Sequence, residues 1–269
     1  MRFPKIHGVI RRRLLVNFRV EPDVMQRHLP APFRPKLHDG YAIAGICLIR
    51  LEDIRPKRVP QMLGLSSENA AHRVAVVWDD QEGVYIPRRD TGSLINHLAG
   101  GRVFPGEHHR AAFQVTDEGD RIELHMHGAD GGVEVDVVGH TTQELPPTSV
   151  FRSVSDASAF FESGALGYSA TAGGSRLDGV VLSTSSWRVE PLAIDFVHSS
   201  YFADEALFPA GSITFDCALL MRDVTHEWHA ADDLHVSQKT GHTTWEGRHE
   251  HRSPTAFRSL ARPAAPHHR

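Results

Sequence analysis

The sequence predicts an α+β fold that is mainly β, a single antiparallel barrel or sheet of the kind a few short helices accompany. Three observations carry that expectation. Short runs of alternating or continuous apolar residues recur along most of the 269 residues, as half-buried and fully buried strands require. Turn-forming clusters separate them, among them Asp79-Asp80-Gln81-Glu82-Gly83, Asp117-Glu118-Gly119-Asp120 and Gly128-Ala129-Asp130-Gly131-Gly132, which read as hairpins in series. Stretches with helical spacing are few and short.

Residues 14–20 alternate and are partly β-branched or aromatic, and Glu21-Pro22-Asp23 then opens a short helix with proline in its first turn, stopped at Leu29-Pro30. Residues 41–51, 73–78, 83–87, 111–116, 121–127 and 133–140 read as strands. Residues 90–99 place Leu94, Ile95 and Leu98 at helical offsets before Gly100-Gly101, which predicts a short crossing helix. A second candidate covers 155–163, with Asp156 early, Ala157, Phe160 and Phe161 on one face and Gly164 as the stop. Residues 176–189 and 191–202 return to strand-like or irregular patterns, and 212–224 form a strongly apolar strand. From about Ala230 the composition turns to His, Arg, Ser, Thr and Pro with few large apolar residues, too few to offset the chain's entropy. The expected organisation is one domain over residues 1–229 and a mobile tail over 230–269.

Composition excludes several classes. A hydrophobic fraction of 41% and a charged fraction of 23% are ordinary for a globular chain. No run approaches the ~18 apolar residues of a membrane helix, and Met1-Arg2-Phe3-Pro4-Lys5-Ile6-His7 lacks the apolar core of a signal peptide, so a cytoplasmic address and no membrane partner are expected. A net charge of −4 gives no bulk reason to bind nucleic acid. Cys47 and Cys217 both stand in apolar strand-like runs and read as small buried hydrophobes. The 19 histidines include His125 and His127, which share a strand face, but no third ligand is identifiable and no metal is expected. No phosphate-cradling loop, dinucleotide fingerprint or nucleophile elbow occurs, and no cofactor is implied.

Two segments carry a resemblance. Residues 11–35, with a strand followed by the helix of Val20 to Pro30, and residues 83–115, with Gly101-Arg102 and Phe104-Pro105, resemble the acetoacetate decarboxylase superfamily, and more closely its branch of uncharacterised bacterial proteins. The resemblance runs from about Arg11 to His229, with Glu68 similar to the family's strand glutamate. It implies the family's β-barrel. The family's decarboxylases place a lysine pair after the aromatic-Pro step, where this chain has Gly106-Glu107-His108-His109. A Schiff-base lysine must be neutral to attack a ketone, and the four lysines, Lys5, Lys36, Lys57 and Lys239, all fall elsewhere.

The residues that remain predict acid/base chemistry without a Schiff base, of lyase, hydratase or cyclase type, on a small carbonyl or carboxylate compound. Arg102 is the candidate to orient a carboxylate or enolate through its two-pronged fork. Glu68, Glu107 and His108 are the candidate acids and bases. Adjacent residues of a strand point to opposite faces, so at most one of His108 and His109 enters the pocket. Arg13, as one of Arg11, Arg12 and Arg13, and Tyr85 are the candidate substrate-binding residues. A packed structural role competes in each case, an ion pair within the barrel for Glu68 and Arg102 above all. The alternative function is a non-catalytic small-molecule-binding barrel, and association into a homo-oligomer is compatible with either.

Overall fold

The computed structural model describes residues 5–57, 59–93, 106–171 and 176–235. It is mostly β. Five strands form a wall in the order β13 (Ile213–Ala230), β1 (Ile6–Val20), β4 (Tyr41–Pro56), β5 (Leu65–Trp78) and β6 (Gln81–Thr91). The sheet continues from β6 through β7 (His108–Glu118), β8 (Arg121–Gly128), β9 (Glu134–Thr141) and β12 (Glu190–Ser199) back to β13, closing a nine-stranded barrel. Two further strands, β10 (Leu166–Ala170) and β11 (Arg176–Thr184), run from the first half of β6 to the last part of β13. Short β2 (Arg34–Pro35), β3 (Leu37–His38) and β14 (Leu234–His235) pair at edges. The pairing is antiparallel except where β6 meets β7 and β10 in parallel.

Every strand of the wall is buried on both sides, which is why β1 and β4 read as nearly continuous apolar runs. Leu14, Val16 and Phe18 point into the barrel with Ala44, Ile46, Leu48, Val74, Val76, Ala218 and Leu220. Their neighbours Leu15, Ile43, Cys47, Ala75, Cys217 and Leu219 point to the outer face. There they are covered by α2 (Val154–Glu162), which lays down Ala157, Phe160 and Phe161 beside Phe151. Ser153 caps α2 by accepting the Asp156 N–H at 3.1 Å, and the Trp187 indole, bonded to Ser158 at 3.0 Å, closes the layer. The other helix, α1 (Pro22–Arg27), carries proline at its start and buries Met25 at the barrel end.

Several register shifts punctuate the wall, and two of them bear on the candidate site. Between Ile10 and Arg12 the pairing with β4 skips one residue, Arg11, and between His72 and Val74 two residues of β6, Ile86 and Pro87, stand opposite Arg73 alone, proline having no N–H to give to the ladder.

Most sequence expectations on the elements hold, with the strands longer than predicted. One is corrected. Asp90 and Thr91 end β6 instead of starting a helix, held by ladder pairing to Ala70 and Asn69, and residues 94–99 lie outside the described residues. Beyond residue 229, β13 runs on to Ala230 and β14 pairs with β11; residues 236–269 lie outside the described residues. Among the described residues no helix is long and apolar enough to cross a membrane.

Candidate functional site

On the outer face of the wall three arginines converge over a floor of small side chains. Arg13 comes from β1, Arg73 from β5 and Arg89 from β6, and Gly45, Cys47 and Ala71 lie between them on β4 and β5. Strand alternation places them: Arg13 is two residues from Leu15, and Arg73 two from Ala75, both on the outer face. Arg73 extends across Gly45 to donate to Asn17 Oδ1 at 2.7 Å. Arg13 Nε stands 3.3 Å from Cys47 Sγ, and Arg89 Nε donates to Ser169 Oγ of β10 at 3.0 Å. The Arg73 guanidinium lies 5.0 Å from the Phe161 ring centre and that of Arg13 5.7 Å from Trp187, so aromatic faces replace part of the lost hydration.

Gly45 is where this arrangement is least forgiving. A β-carbon there would meet the Val16 carbonyl oxygen at 2.4 Å and Asn17 Oδ1 at 3.1 Å. Gly45→Ala is therefore expected to push β1 from β4 and cost about 1–3 kcal/mol, read as a lower urea midpoint, with loss of ligand stabilisation at the cluster.

Among the described residues no carboxylate bonds any of the three guanidiniums. Each keeps a buried nitrogen with no partner among the described residues: Arg13 Nη1, Arg73 Nε and Arg89 Nη2. Burial pushes Arg73 down to about 10, with Arg13 adding like-charge repulsion, and pushes Arg89 down to about 10 as well. Both remain cations at neutral pH. The strand carboxylate best placed by register is Asp178, opposite Ser169, and it stands 3.2 Å from Arg176 instead. Buried charge without a counter-charge is costly, and a cluster of fork-shaped donors is suited to carboxylate or phosphate oxygens.

The structure sorts the sequence candidates into separate places. Arg13 is in the cluster. His108 stands level with Arg89 on β7, half-buried, with Nδ1 3.3 Å from the Gly106 carbonyl oxygen. Its neighbour His109 turns to Asp130 at 3.3 Å. Glu107 is exposed. Glu68 is on the barrel side, paired with Arg12 at 2.8 Å, and Arg12 also reaches Asp117, which Arg222 grips at 2.6 Å. That network closes one end of the barrel, and it takes Glu68 away from Arg13. Tyr85 also points into the barrel, against Phe33, and burial pushes its hydroxyl up to about 12. Arg102 lies outside the described residues. Arg73 and Arg89 escaped the sequence reading; the available signal was an arginine set among apolar strand residues, as in His72-Arg73-Val74-Ala75-Val76. Among the described residues no group of three or more His, Cys, Asp or Glu is placed to hold a metal ion.

Residues 9–224 match the model of the family DUF2071, described as an uncharacterized conserved protein. The chain belongs to this family. No curated protein matches the sequence. Among solved structures, the acetoacetate decarboxylase of Legionella pneumophila subsp. pneumophila str. Philadelphia 1 is similar at 13% identity and TM-score 0.54, over 86% of this chain and 88% of that one. The enduracididine biosynthesis enzyme MppR complexed with pyruvate is similar at 12% identity and TM-score 0.56, over 88% and 92%. An acetoacetate decarboxylase-like enzyme from Sphingomonas wittichii RW1 follows at 11% identity and TM-score 0.55, over 88% and 94%. This family member thus shares the acetoacetate decarboxylase-like fold with these structures.

Proposed function

We propose that the protein is an enzyme of acetoacetate decarboxylase-like fold that acts on a small carbonyl or carboxylate compound by acid/base chemistry, without a Schiff base. The observation that carries this reading is the cluster of buried Arg73 with half-buried Arg13 and Arg89, with no carboxylate bonded to it among the described residues. A bound carboxylate would supply the missing counter-charge. The same donors would stabilise negative charge developing on an adjacent enolate oxygen, and His108, level with Arg89 on β7, would be the group that accepts a proton. Arg102 belongs to the proposal as a further cation for the carboxylate, and Glu107 as a proton carrier at the rim. Glu68 and Tyr85, on the barrel side, act on the site only through the packing of the wall.

Among the described residues none of the lysines touches the cluster: Lys36 bonds Glu82 and Ser163, and Lys57 bonds Glu227. The second reading, a binding barrel without chemistry, is favoured by one observation: the cluster's principal charged groups are arginines, which do not exchange protons at neutral pH.

The test is to incubate the full chain with small keto acids and hydroxy acids, follow products by mass spectrometry, and add borohydride. Turnover without borohydride trapping, reduced at least tenfold in His108→Gln, supports the enzyme. Stabilisation by the same acids without turnover, lost in Arg89→Met, supports the binding barrel. Borohydride trapping of an adduct overturns the mechanism.

A further inference from the structure

Resting on the reading of the arginine cluster as the ligand site, we propose that its ligand is a small dianion, a compound bearing two carboxylates or one phosphate group, and not a simple monocarboxylate. The argument begins with charge. Three guanidiniums share one face, each with one buried nitrogen lacking a partner among the described residues, and a single carboxylate would leave two of the three charges uncompensated. Asp178, the carboxylate nearest by register, is engaged by Arg176.

Spacing points the same way. Arg13 and Arg89 start from β1 and β6, with β4 and β5 between them. At the usual separation of paired strands, with Arg89 two residues along from the register of Arg13, their Cα atoms are roughly 16 Å apart, and Gly45, Cys47 and Ala71 leave the intervening floor low. Two different settings result. At one end Arg13 and Arg73 meet around Cys47 and Asn17, where each lends positive field to the other. At the other, Arg89 works with the Ser169 hydroxyl. Two separated oxyanion positions fit two acidic groups on a short frame, or the spread oxygens of one phosphate.

The experiment is calorimetric titration of the full chain at constant ionic strength with malonate, succinate and inorganic phosphate, against acetate and propionate. The expected result is binding of at least one dianion about tenfold or more tighter than either monocarboxylate. Arg89→Met is expected to lower dianion affinity by at least tenfold, and by a larger factor than it lowers the affinity of either monocarboxylate. Arg89→Lys, which keeps the charge, is expected to retain part of the preference should the methionine variant fold poorly. A dicarboxylate preference with no phosphate binding identifies a diacid, and the reverse a phosphate. Equal affinity for monocarboxylates and dianions overturns the dianion inference and leaves the site reading intact. Absence of binding by every acid, with wild-type folding, overturns both.

Discussion

Replacing Asp90 by alanine is expected to destabilise the protein by about 3–5 kcal/mol, the usual cost of removing one partner of a buried ion pair. Asp90 and Arg88 lie on the barrel side of β6 and are fully or almost fully buried. The carboxylate accepts from Arg88 Nε at 3.0 Å and Nη2 at 2.8 Å, and Asp130 adds a second carboxylate at 3.0 Å. Burial lifts the Asp90 carboxyl above its usual range even with Arg88 pulling it down. The pair is therefore expensive to assemble and more expensive to halve. Loss of the carboxylate leaves the buried guanidinium with only the partly exposed Asp130 as counter-charge, next to the neutral ring of His72, one strand away. The double variant Arg88→Leu/Asp90→Leu is expected to be more stable than Asp90→Ala, because apolar residues of similar size remove both desolvation costs together. Urea denaturation of the three proteins checks this, and a double variant weaker than the single one would show that the pair is a net stabiliser.

Acidification should unfold the protein earlier than its carboxylates alone would require. His72 is fully buried in the barrel against Tyr201, and desolvation, helped by Arg88, pushes it down to about 3. His226 is almost fully buried on the outer face beside Trp228, and desolvation, helped by Arg13 and His7, pushes it down to about 4. In the unfolded chain both titrate near 6.5. The unfolded state thus binds more protons than the folded one between those values, so stability rises with pH across that window. The contribution is complete above about pH 6.5 and is lost as pH falls from there through the folded values, by on the order of 5 kcal/mol for His72 and about 3 kcal/mol for His226. In His226→Leu the pH dependence of the unfolding free energy between pH 6.5 and 4 is expected to shrink by close to one proton. An unchanged slope would mean that His226 is protonated in the folded protein.

How far the sequence speaks depends on which property is asked. Strand positions were legible because turns such as Asp117-Glu118-Gly119-Asp120 stand between apolar runs, and α2 was legible from Ala157, Phe160 and Phe161 sharing one face. Strand lengths were not, since β1 begins at Ile6 and passes through Arg11, Arg12 and Arg13, residues that local propensity places outside a strand and that only the neighbouring β4 and β13 hold in register. Asp90 was misread for the same reason: its partner Arg88 is local, but the ladder that fixes it comes from β5. At the candidate site, Arg13 was visible through the resemblance of its segment. Arg73 and Arg89 were not, because convergence across four strands has no trace in linear spacing. Which of three adjacent arginines faces which side was equally hidden, for it turns on the extra residue at Arg11.

That extra residue, with its counterpart beside Pro87, gives the wall a reading frame. Ile10 and Arg13, three apart, share the outer face only because Arg11 intervenes, and Arg88 and Tyr85, three apart, share the barrel side through the irregularity at Pro87. A single deletion at either point would shift the frame, turning arginines into the apolar barrel and leucines toward the ligand. Chain length along these strands is therefore as much a part of the site's chemistry as the identity of its side chains.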